Sequence, residues 1–177
     1  MKRKYIILVL ALLFLISFFF DNSIPANFEV KNIFNSTFQW GIFVALVITL
    51  VFFFYKKYKK LPLLWLGLLV PSLIAWLLKV IIKRPRPFTG IAETILKTGY
   101  SFPSGHATVA FAALPFLEEH FPRFRWLWLV FIVIIVLLRV YSGIHYLSDV
   151  VFGALLGYSI SSLIIWLNKK YKFLNLV

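Results

Sequence analysis

Six apolar runs divide the chain, and polar or charged segments separate them. A helix needs about 20 mainly apolar residues to cross a bilayer, with a range of about 17–25. The runs are Tyr5–Phe20, Phe38–Tyr55, Leu61–Ile82, Gly105–Leu117, Trp126–Tyr141 and Ile144–Leu167. The fourth is the shortest, and Pro115 within it favours a kink. The pattern predicts an all-α integral membrane bundle of six transmembrane helices, with residues 1–177 forming a single domain.

The first run has the features of either a membrane anchor or a signal peptide. Lys2, Arg3 and Lys4 precede it, as in the basic region of a signal peptide. The segment Ile24-Pro25-Ala26 is a poor cleavage site. We therefore expect the first helix to be retained.

Composition supports a membrane protein and excludes several other classes. The chain is 62% hydrophobic and 14% charged, whereas soluble domains are about 45–50% apolar and about 25% charged. A soluble fold and a disordered chain are both excluded. Because there is no cysteine, a disulfide scaffold, a thiolate metal site and a cysteine nucleophile are excluded too.

The net charge of +13 is explained by membrane topology. Most basic residues fall before the first helix, between alternate helices or after the last helix: Lys2, Arg3, Lys4, Lys56, Lys57, Lys59, Lys60, Arg123, Arg125, Lys169, Lys170 and Lys172. With six helices they share one side, which the positive-inside rule assigns to the cytoplasm, together with both termini. We expect a multi-pass membrane protein and no nucleic-acid partner, since the chain has no basic recognition motif or separate soluble domain.

Six other basic residues lie at the opposite, external ends of helices three to five. They are Lys79, Lys83, Arg84, Arg86, Lys97 and Arg139. Charges in or near the hydrocarbon are costly and usually serve a function. We therefore expect the chemistry at the external face, where three short segments meet.

The first segment runs from Lys79 to Pro87. Lys79 lies on the last turns of the third predicted helix, and Pro85 and Pro87 prevent the helix from continuing. Arg86 is then held on a stiff extended stretch, so two cations can approach one anion from different directions. The alternative is that both side chains reach to lipid phosphates.

The second segment, Tyr100–His106, directly precedes the fourth apolar run. Ser104 is a good N-cap, and Gly105 lets the backbone approach a ligand. Free N–H groups at a helix N-terminus bind anions, and His106 in the first turn is placed to exchange a proton. A capping turn with an incidental histidine is the alternative.

The third segment contains Arg139, Gly143, His145 and Asp149. Gly143 permits a tight turn. The i, i+4 spacing predicts that His145 and Asp149 share one face of helix six. The carboxylate would then fix the imidazole tautomer and leave the other ring nitrogen able to attack or bind. A purely structural pair is the alternative.

This inventory of cations, a helix N-terminus and two histidines fits phosphoryl transfer. Fixed cations and N–H donors stabilise the charge of a transferring phosphoryl group. One histidine would attack phosphorus, the other would protonate the leaving oxygen, and water would hydrolyse the phosphohistidine. Two histidines and an aspartate are also metal ligands, but the surrounding cations argue against a further positive charge.

The three segments resemble the type-2 phosphatidic acid phosphatase superfamily. Its pattern is Lys-x6-Arg-Pro, then Pro-Ser-Gly-His, then Ser-Arg-x5-His-x3-Asp. This chain has, in the same order and spacing, Lys79, Arg86 and Pro87, then Pro103–His106, then Arg139, His145 and Asp149. The resemblance implies a helical membrane bundle that needs no metal and no cofactor. It also implies His145 as nucleophile, Asp149 as its orienting partner and His106 as general acid. The implied phosphate-binding residues are Lys79, Arg86, Ser104, Gly105 and Arg139.

Leu138 departs from the family pattern, because it replaces the serine that precedes the arginine of the third motif. The missing hydroxyl changes the detailed phosphate contacts but removes neither histidine and none of the three cations.

The expected substrate is a membrane lipid with a terminal phosphate or pyrophosphate in the outer leaflet. Within the family the candidates are undecaprenyl pyrophosphate, phosphatidylglycerol phosphate, phosphatidic acid and the 1-phosphate of lipid A. Lys83, Arg84 and Lys97 would slightly favour a headgroup with more than one anionic group, or they attract anionic lipids to the surface. The alternatives are a lipid phosphotransferase, an anion transporter, a haloperoxidase and a structural membrane protein with a degenerate site.

Overall fold

The computed structural model describes residues 3–21, 56, 58–87 and 99–174, and helix is the only regular secondary structure within these ranges. The helices are α1 (Arg3–Ser17), α2 (Leu61–Ile82), α3 (Gly105–His120), α4 (Arg125–Tyr141) and α5 (Leu147–Tyr171). Short 3-10 turns at Phe18–Phe20, Tyr58–Lys60 and Pro122–Phe124 extend α1 and precede α2 and α4. Four segments are long and apolar enough to cross a membrane: Arg3–Phe20, Leu61–Ile82, Pro122–Tyr141 and Leu147–Tyr171.

The first, third and fifth predicted helices are confirmed nearly to the residue. The second, Phe38–Tyr55, lies outside the described residues, so the count of six spans stays a prediction. The fourth is three residues longer than predicted and runs to His120 with Pro115 inside it.

The predicted start of the last helix at Ile144 is wrong, because α5 begins at Leu147. Gly143 has a φ of +67°, and the N–H groups of Ile144 and His145 both donate to the Arg139 carbonyl at 3.2 Å. The Asp149 carboxylate then accepts the Tyr146 N–H at 2.9 Å and caps the new helix. His145 therefore lies in the turn before α5, and the helical-face argument for its proximity to Asp149 does not hold.

Helix α3 is the centre of the bundle and is buried along most of its length. One side packs with α2 and α5 around Phe116 and Leu64, and the other packs with α1, α4 and α5 around Phe111 and Ile132. The weaker membrane signal of α3 has a simple cause, because the helix is only 16 residues long and carries polar residues near both ends.

Two glycines let α5 approach α3 closely. Gly153 and Gly157 are four residues apart on the face of α5 that meets α3. A Cβ on Gly153 would lie 2.6 Å from the Ser104 carbonyl oxygen, and one on Gly157 would overlap the Thr108 carbonyl. Small residues at this spacing allow close helix packing in membranes. The contact fixes the start of α3, which carries the second segment, against α5.

The bundle has two distinct ends. At one end Glu119 accepts from Arg3 and from Lys169, each at 3.0 Å, which joins the start of α1 to the ends of α3 and α5. The basic residues that directly precede α2 and α4 lie at this same end, because both helices start here and run towards the opposite end. The three predicted chemical segments lie at the other end.

Candidate active site

The first two segments are joined by hydrogen bonds that Ser101 donates to backbone carbonyls. Helix α2 ends at Ile82, and Lys83 adopts a left-handed conformation with φ of 53°. The chain then turns through Arg84 and Pro85, which the proline rings prevent from becoming helical. The Ser101 N–H donates to the Arg84 carbonyl at 2.8 Å, and the Ser101 hydroxyl donates to the Pro85 carbonyl at 2.9 Å.

The two predicted cations of the first segment bind backbone carbonyls of the other two. Lys79 Nζ donates to the Tyr100 carbonyl at 2.6 Å. Arg86 donates through Nε to the Gly99 carbonyl at 3.0 Å and through Nη1 to the Ile144 carbonyl at 3.1 Å. Arg86 is buried, and its burial lowers the pKa of the guanidinium to about 10. Arg86 thus lies on a non-helical stretch after α2, as the two prolines predicted.

The second segment provides an open helix N-terminus. Ser104 has the extended backbone of an N-cap, but its hydroxyl makes no capping bond. That hydroxyl is buried and has no hydrogen-bond partner among the described residues. A Cβ on the next residue, Gly105, would meet nothing within 4 Å. A buried hydroxyl beside empty space and free N–H groups is suited to an anion.

His106 and Arg139 form a buried pair. Arg139 Nη2 lies 2.8 Å from His106 Nε2. A guanidinium has no acceptor atom, so Nε2 must accept this hydrogen bond and carries no proton in this arrangement. The pair joins the second segment to the third.

His145 and Asp149 are almost completely buried, with exposures of 2% and 0%. His145 Nδ1 lies 3.5 Å from Asp149 Oδ2, which is longer than a good hydrogen bond. Burial, together with the charges of Arg86 and Lys79, lowers the pKa of His145 to about 4, although Asp149 opposes the shift. The imidazole is therefore neutral at pH 7 and retains a lone pair for attack.

The backbone also joins the second and third segments, since the Ser104 N–H donates to the Asp149 carbonyl at 3.0 Å. Every pair of segments is thus linked directly. All eight predicted site residues lie at this end of the bundle: Lys79, Arg86, Ser104, Gly105, His106, Arg139, His145 and Asp149.

Sequence reasoning missed the roles of Arg84 and Asp21. Arg84 was expected to meet a headgroup or surface lipids, but it donates to the carboxylates of Asp149 and Asp21, each at 2.8 Å. An acidic residue directly after the first apolar run was the available signal. Lys83 is exposed, and Lys97 lies outside the described residues.

The charges at this end leave room for an anion. Among the described residues, and apart from the exposed Lys83, four buried or partly buried cations and two carboxylates meet there: Lys79, Arg84, Arg86, Arg139, Asp21 and Asp149. Their balance leaves two positive charges, which suits a phosphate dianion. Across the described ranges, no three His, Asp or Glu side chains come together as a metal site.

Comparisons with known proteins agree with this geometry. The family model described as the PAP2 superfamily matches residues 60–173. An undecaprenyl-diphosphatase from Sulfolobus acidocaldarius is 31% identical over 68% of this chain and 62% of its own length. Phosphatidylglycerophosphatase B from Bacillus subtilis is 33% identical over 68% of this chain and 64% of its own length. The matched part thus spans somewhat less than two thirds of both relatives.

Two further matches add to this picture. The bacitracin transport permease protein BcrC from Bacillus licheniformis is 40% identical over 42% of this chain and 37% of its own length. The crystal structure of a transmembrane PAP2-type phosphatidylglycerolphosphate phosphatase from Bacillus subtilis superposes with a TM-score of 0.62. That match is 23% identical and covers 98% of this chain and 97% of that one. At this identity it shows that the two share a fold.

Proposed function

The chain belongs to the PAP2 superfamily, and we propose that it is a lipid phosphatase that removes a terminal phosphate or pyrophosphate group through a phosphohistidine intermediate. The observation that carries this proposal is the direct linkage of the three segments. They bring two histidines, Arg86 and Arg139 to one end of the bundle. Side chains, rather than a metal ion, supply the positive charge.

The phosphoryl oxygens bind to the cations and to the start of α3. Lys79, Arg86 and Arg139 neutralise the charge, while the Ser104 hydroxyl and the backbone at Gly105 donate hydrogen bonds. The unpartnered Ser104 hydroxyl and the open space over Gly105 support this assignment. Donors fixed before the reaction need no reorganisation as charge develops.

His145 is the nucleophile and His106 the general acid. The His145 side that faces Asp149 is Nδ1, so Nε2 attacks phosphorus as the bond to the leaving oxygen breaks. Bound phosphate competes with His106 for Arg139, and His106 Nε2 can then carry the proton that the leaving oxygen takes. In the second step water attacks the phosphohistidine, His106 accepts its proton, and phosphate and neutral His145 are released.

The substrate is a membrane lipid, because the site opens at the end of a bundle of apolar helices with large exposed apolar side chains. The names of the two relatives suggest undecaprenyl pyrophosphate and phosphatidylglycerol phosphate as first candidates. Phosphatidic acid and lipid A 1-phosphate also end in a phosphate group, and they are the other two candidate substrates.

The chain is a multi-pass membrane protein. We place its site at the external face of the bacterial inner membrane and both termini in the cytoplasm. Support comes from the grouping of the basic residues Arg3, Arg125 and Lys169 at the end opposite the site.

The test is phosphate release by the purified protein in detergent with excess chelator, with the four lipids offered in parallel. Turnover of one lipid is expected, and His145→Ala should abolish it. His120→Ala is the matched control, because His120 lies at the far end of α3 next to the Phe116 carbonyl. Loss of activity in chelator, or unchanged activity of His145→Ala, would contradict the mechanism.

The same residues would serve a phosphotransferase, in which an alcohol replaces water as the acceptor. Transport is a second alternative, raised by the name of the BcrC relative. Phosphate transfer to an added lipid alcohol would identify a phosphotransferase. Bacitracin export at the wild-type level in a strain that carries His145→Ala would favour transport.

A further inference from the structure

We propose that Arg84 and Asp21 are positioning residues that hold Asp149 in place and so couple the end of α1 to the reaction. Arg84 occupies an unspecified position within the first motif, and Asp21 lies outside all three motifs. The inference rests on the proposed function, since it concerns how Asp149 serves His145.

Arg84 binds the face of Asp149 that His145 does not approach. Its Nη1 donates to Asp149 Oδ1 at 2.8 Å and to the Ser148 hydroxyl at 2.6 Å. The other oxygen, Oδ2, accepts the Tyr146 N–H at 2.9 Å and lies 3.5 Å from His145 Nδ1. Arg84 therefore determines how the carboxylate is rotated, and hence where Oδ2 meets the imidazole.

Asp21 fixes Arg84 from the other side. Asp21 Oδ2 accepts from Arg84 Nη2 at 2.8 Å and from the Ser148 hydroxyl at 2.6 Å. Asp21 Oδ1 accepts the Ser148 N–H at 2.8 Å. Asp21 follows α1 and is separated from Ser148 by 127 residues, so these bonds tie the first helix to the start of α5.

Burial makes this network costly to break. The Asp149 side chain is 0% exposed and the Asp21 side chain 5%, and a buried carboxylate without a counter-charge is strongly disfavoured. The Arg84 guanidinium also lies 3.9 Å from the centre of the Tyr146 ring, which restricts its position further. One planar cation thus bridges two buried carboxylates, a geometry that lysine cannot reproduce.

Arg84 is also unlike the phosphate-binding cations in its contacts. Both of its terminal nitrogens bind carboxylates, whereas the hydrogen bonds described above for Lys79 and Arg86 go to neutral backbone carbonyls. Exchanging a neutral carbonyl for phosphate as the partner of a cation costs little free energy, whereas separating Arg84 from its two carboxylates costs much more. Arg84 therefore acts on the transition state through Asp149 rather than by holding substrate.

The experiment compares Arg84→Gln, Arg84→Lys and Asp21→Asn with wild type on the lipid that wild type hydrolyses. Lys83→Gln is the matched control, because it removes an adjacent, exposed cation. Arg84→Gln should lower kcat about 10- to 100-fold with KM changed less than about threefold, as expected for loss of a charged hydrogen bond outside the substrate site. Arg84→Lys should be intermediate, Asp21→Asn should lose about two- to tenfold, and Lys83→Gln should match wild type.

The pH profile gives a readout that a merely structural role would not move. Among the described residues, the charged groups around Asp149 are Arg84, Arg86 and Lys79, with Asp21 behind Arg84, and His145 is the neutral titratable group beside it. Removing the positive charge of Arg84 from this end of the bundle favours protonation of the His145 imidazole. The acid limb of kcat/KM should therefore move to higher pH in Arg84→Gln and stay in place in Lys83→Gln.

A double-variant cycle tests whether the two residues act as one unit. The Arg84→Gln, Asp21→Asn double variant should lose no more activity than Arg84→Gln alone. Three results would each overturn the inference while leaving wild-type turnover intact. They are fully multiplicative losses in the double variant, a rise in KM without a fall in kcat in Arg84→Gln, and an unmoved acid limb in Arg84→Gln. Absence of wild-type turnover on every lipid would instead overturn the proposed function, and this inference with it.

Discussion

The contact between Gly153 and Ser104 makes the active site sensitive to one methyl group in the bundle core. A Cβ on Gly153 would lie 2.6 Å from the Ser104 carbonyl oxygen and 3.1 Å from both the Ala107 Cβ and the Thr108 hydroxyl. The Ser104 carbonyl cannot turn away freely, because it accepts the Thr108 N–H and the Thr108 hydroxyl, each at 3.0 Å. In Gly153→Ala, the start of α3 must therefore move away from α5.

The size of the effect follows from these distances. An ordinary van der Waals contact begins at 3.4 Å, so the separation must grow by somewhat less than one ångström. Overpacking of this kind costs about 1–3 kcal/mol, and the better helix propensity of alanine offsets about 1 kcal/mol. The net loss of about 0–2 kcal/mol corresponds to a fall in Tm of roughly 0–8 °C for a chain of this length. A shift near 1 Å at a phosphate-binding group can cost about 100-fold in rate.

The assay is kcat/KM for the preferred lipid together with thermal unfolding in the same detergent. Gly67→Ala is the matched control, because its Cβ would overlap the Phe116 ring in the core cluster away from the site. Gly153→Ala should lose far more activity than stability, whereas Gly67→Ala should lose stability and keep its kcat/KM. Wild-type kcat/KM in Gly153→Ala would refute the argument that α5 positions the phosphate-binding turn.

The remaining predictions concern the site itself. Gly105→Ala should leave Tm unchanged or raised, since its Cβ meets nothing within 4 Å. It should raise KM about tenfold or more, because the added methyl group fills the space proposed for phosphate. A wild-type KM would argue against phosphate at that position. The acid limb of kcat/KM should lie near the pKa of about 4 for His145, well below the value of about 6.5 for free imidazole, because protonated imidazole cannot attack. A single acid limb near pH 6.5 in the wild-type protein would contradict the buried neutral nucleophile. Asp149→Asn should lower kcat strongly without abolishing turnover, as measured by single-turnover kinetics, because Asp149 orients rather than attacks; an unchanged rate would remove it from the mechanism.

Much of the helical framework follows from local sequence. A run of apolar residues long enough to cross the hydrocarbon must satisfy its backbone hydrogen bonds internally, so α1, α2 and α4 could be predicted with accurate bounds. The prolines at 85 and 87 and the glycine at 143 likewise predicted where regular structure stops. The start of α5 was predicted wrongly because it depends on the Asp149 cap at Tyr146, which periodicity does not reveal.

The motifs also follow from sequence, because a few residue types at fixed spacing identify the PAP2 superfamily and its candidate chemistry. The tertiary structure alone decided how the motifs meet: Arg139 on His106, Arg86 on the Ile144 carbonyl, and Arg84 between Asp149 and Asp21. These contacts join residues far apart in the chain, and their strength depends on burial and on the direction of each donor. Apolar length and motif spacing are local properties, whereas a buried charge network exists only once packing has removed water from it.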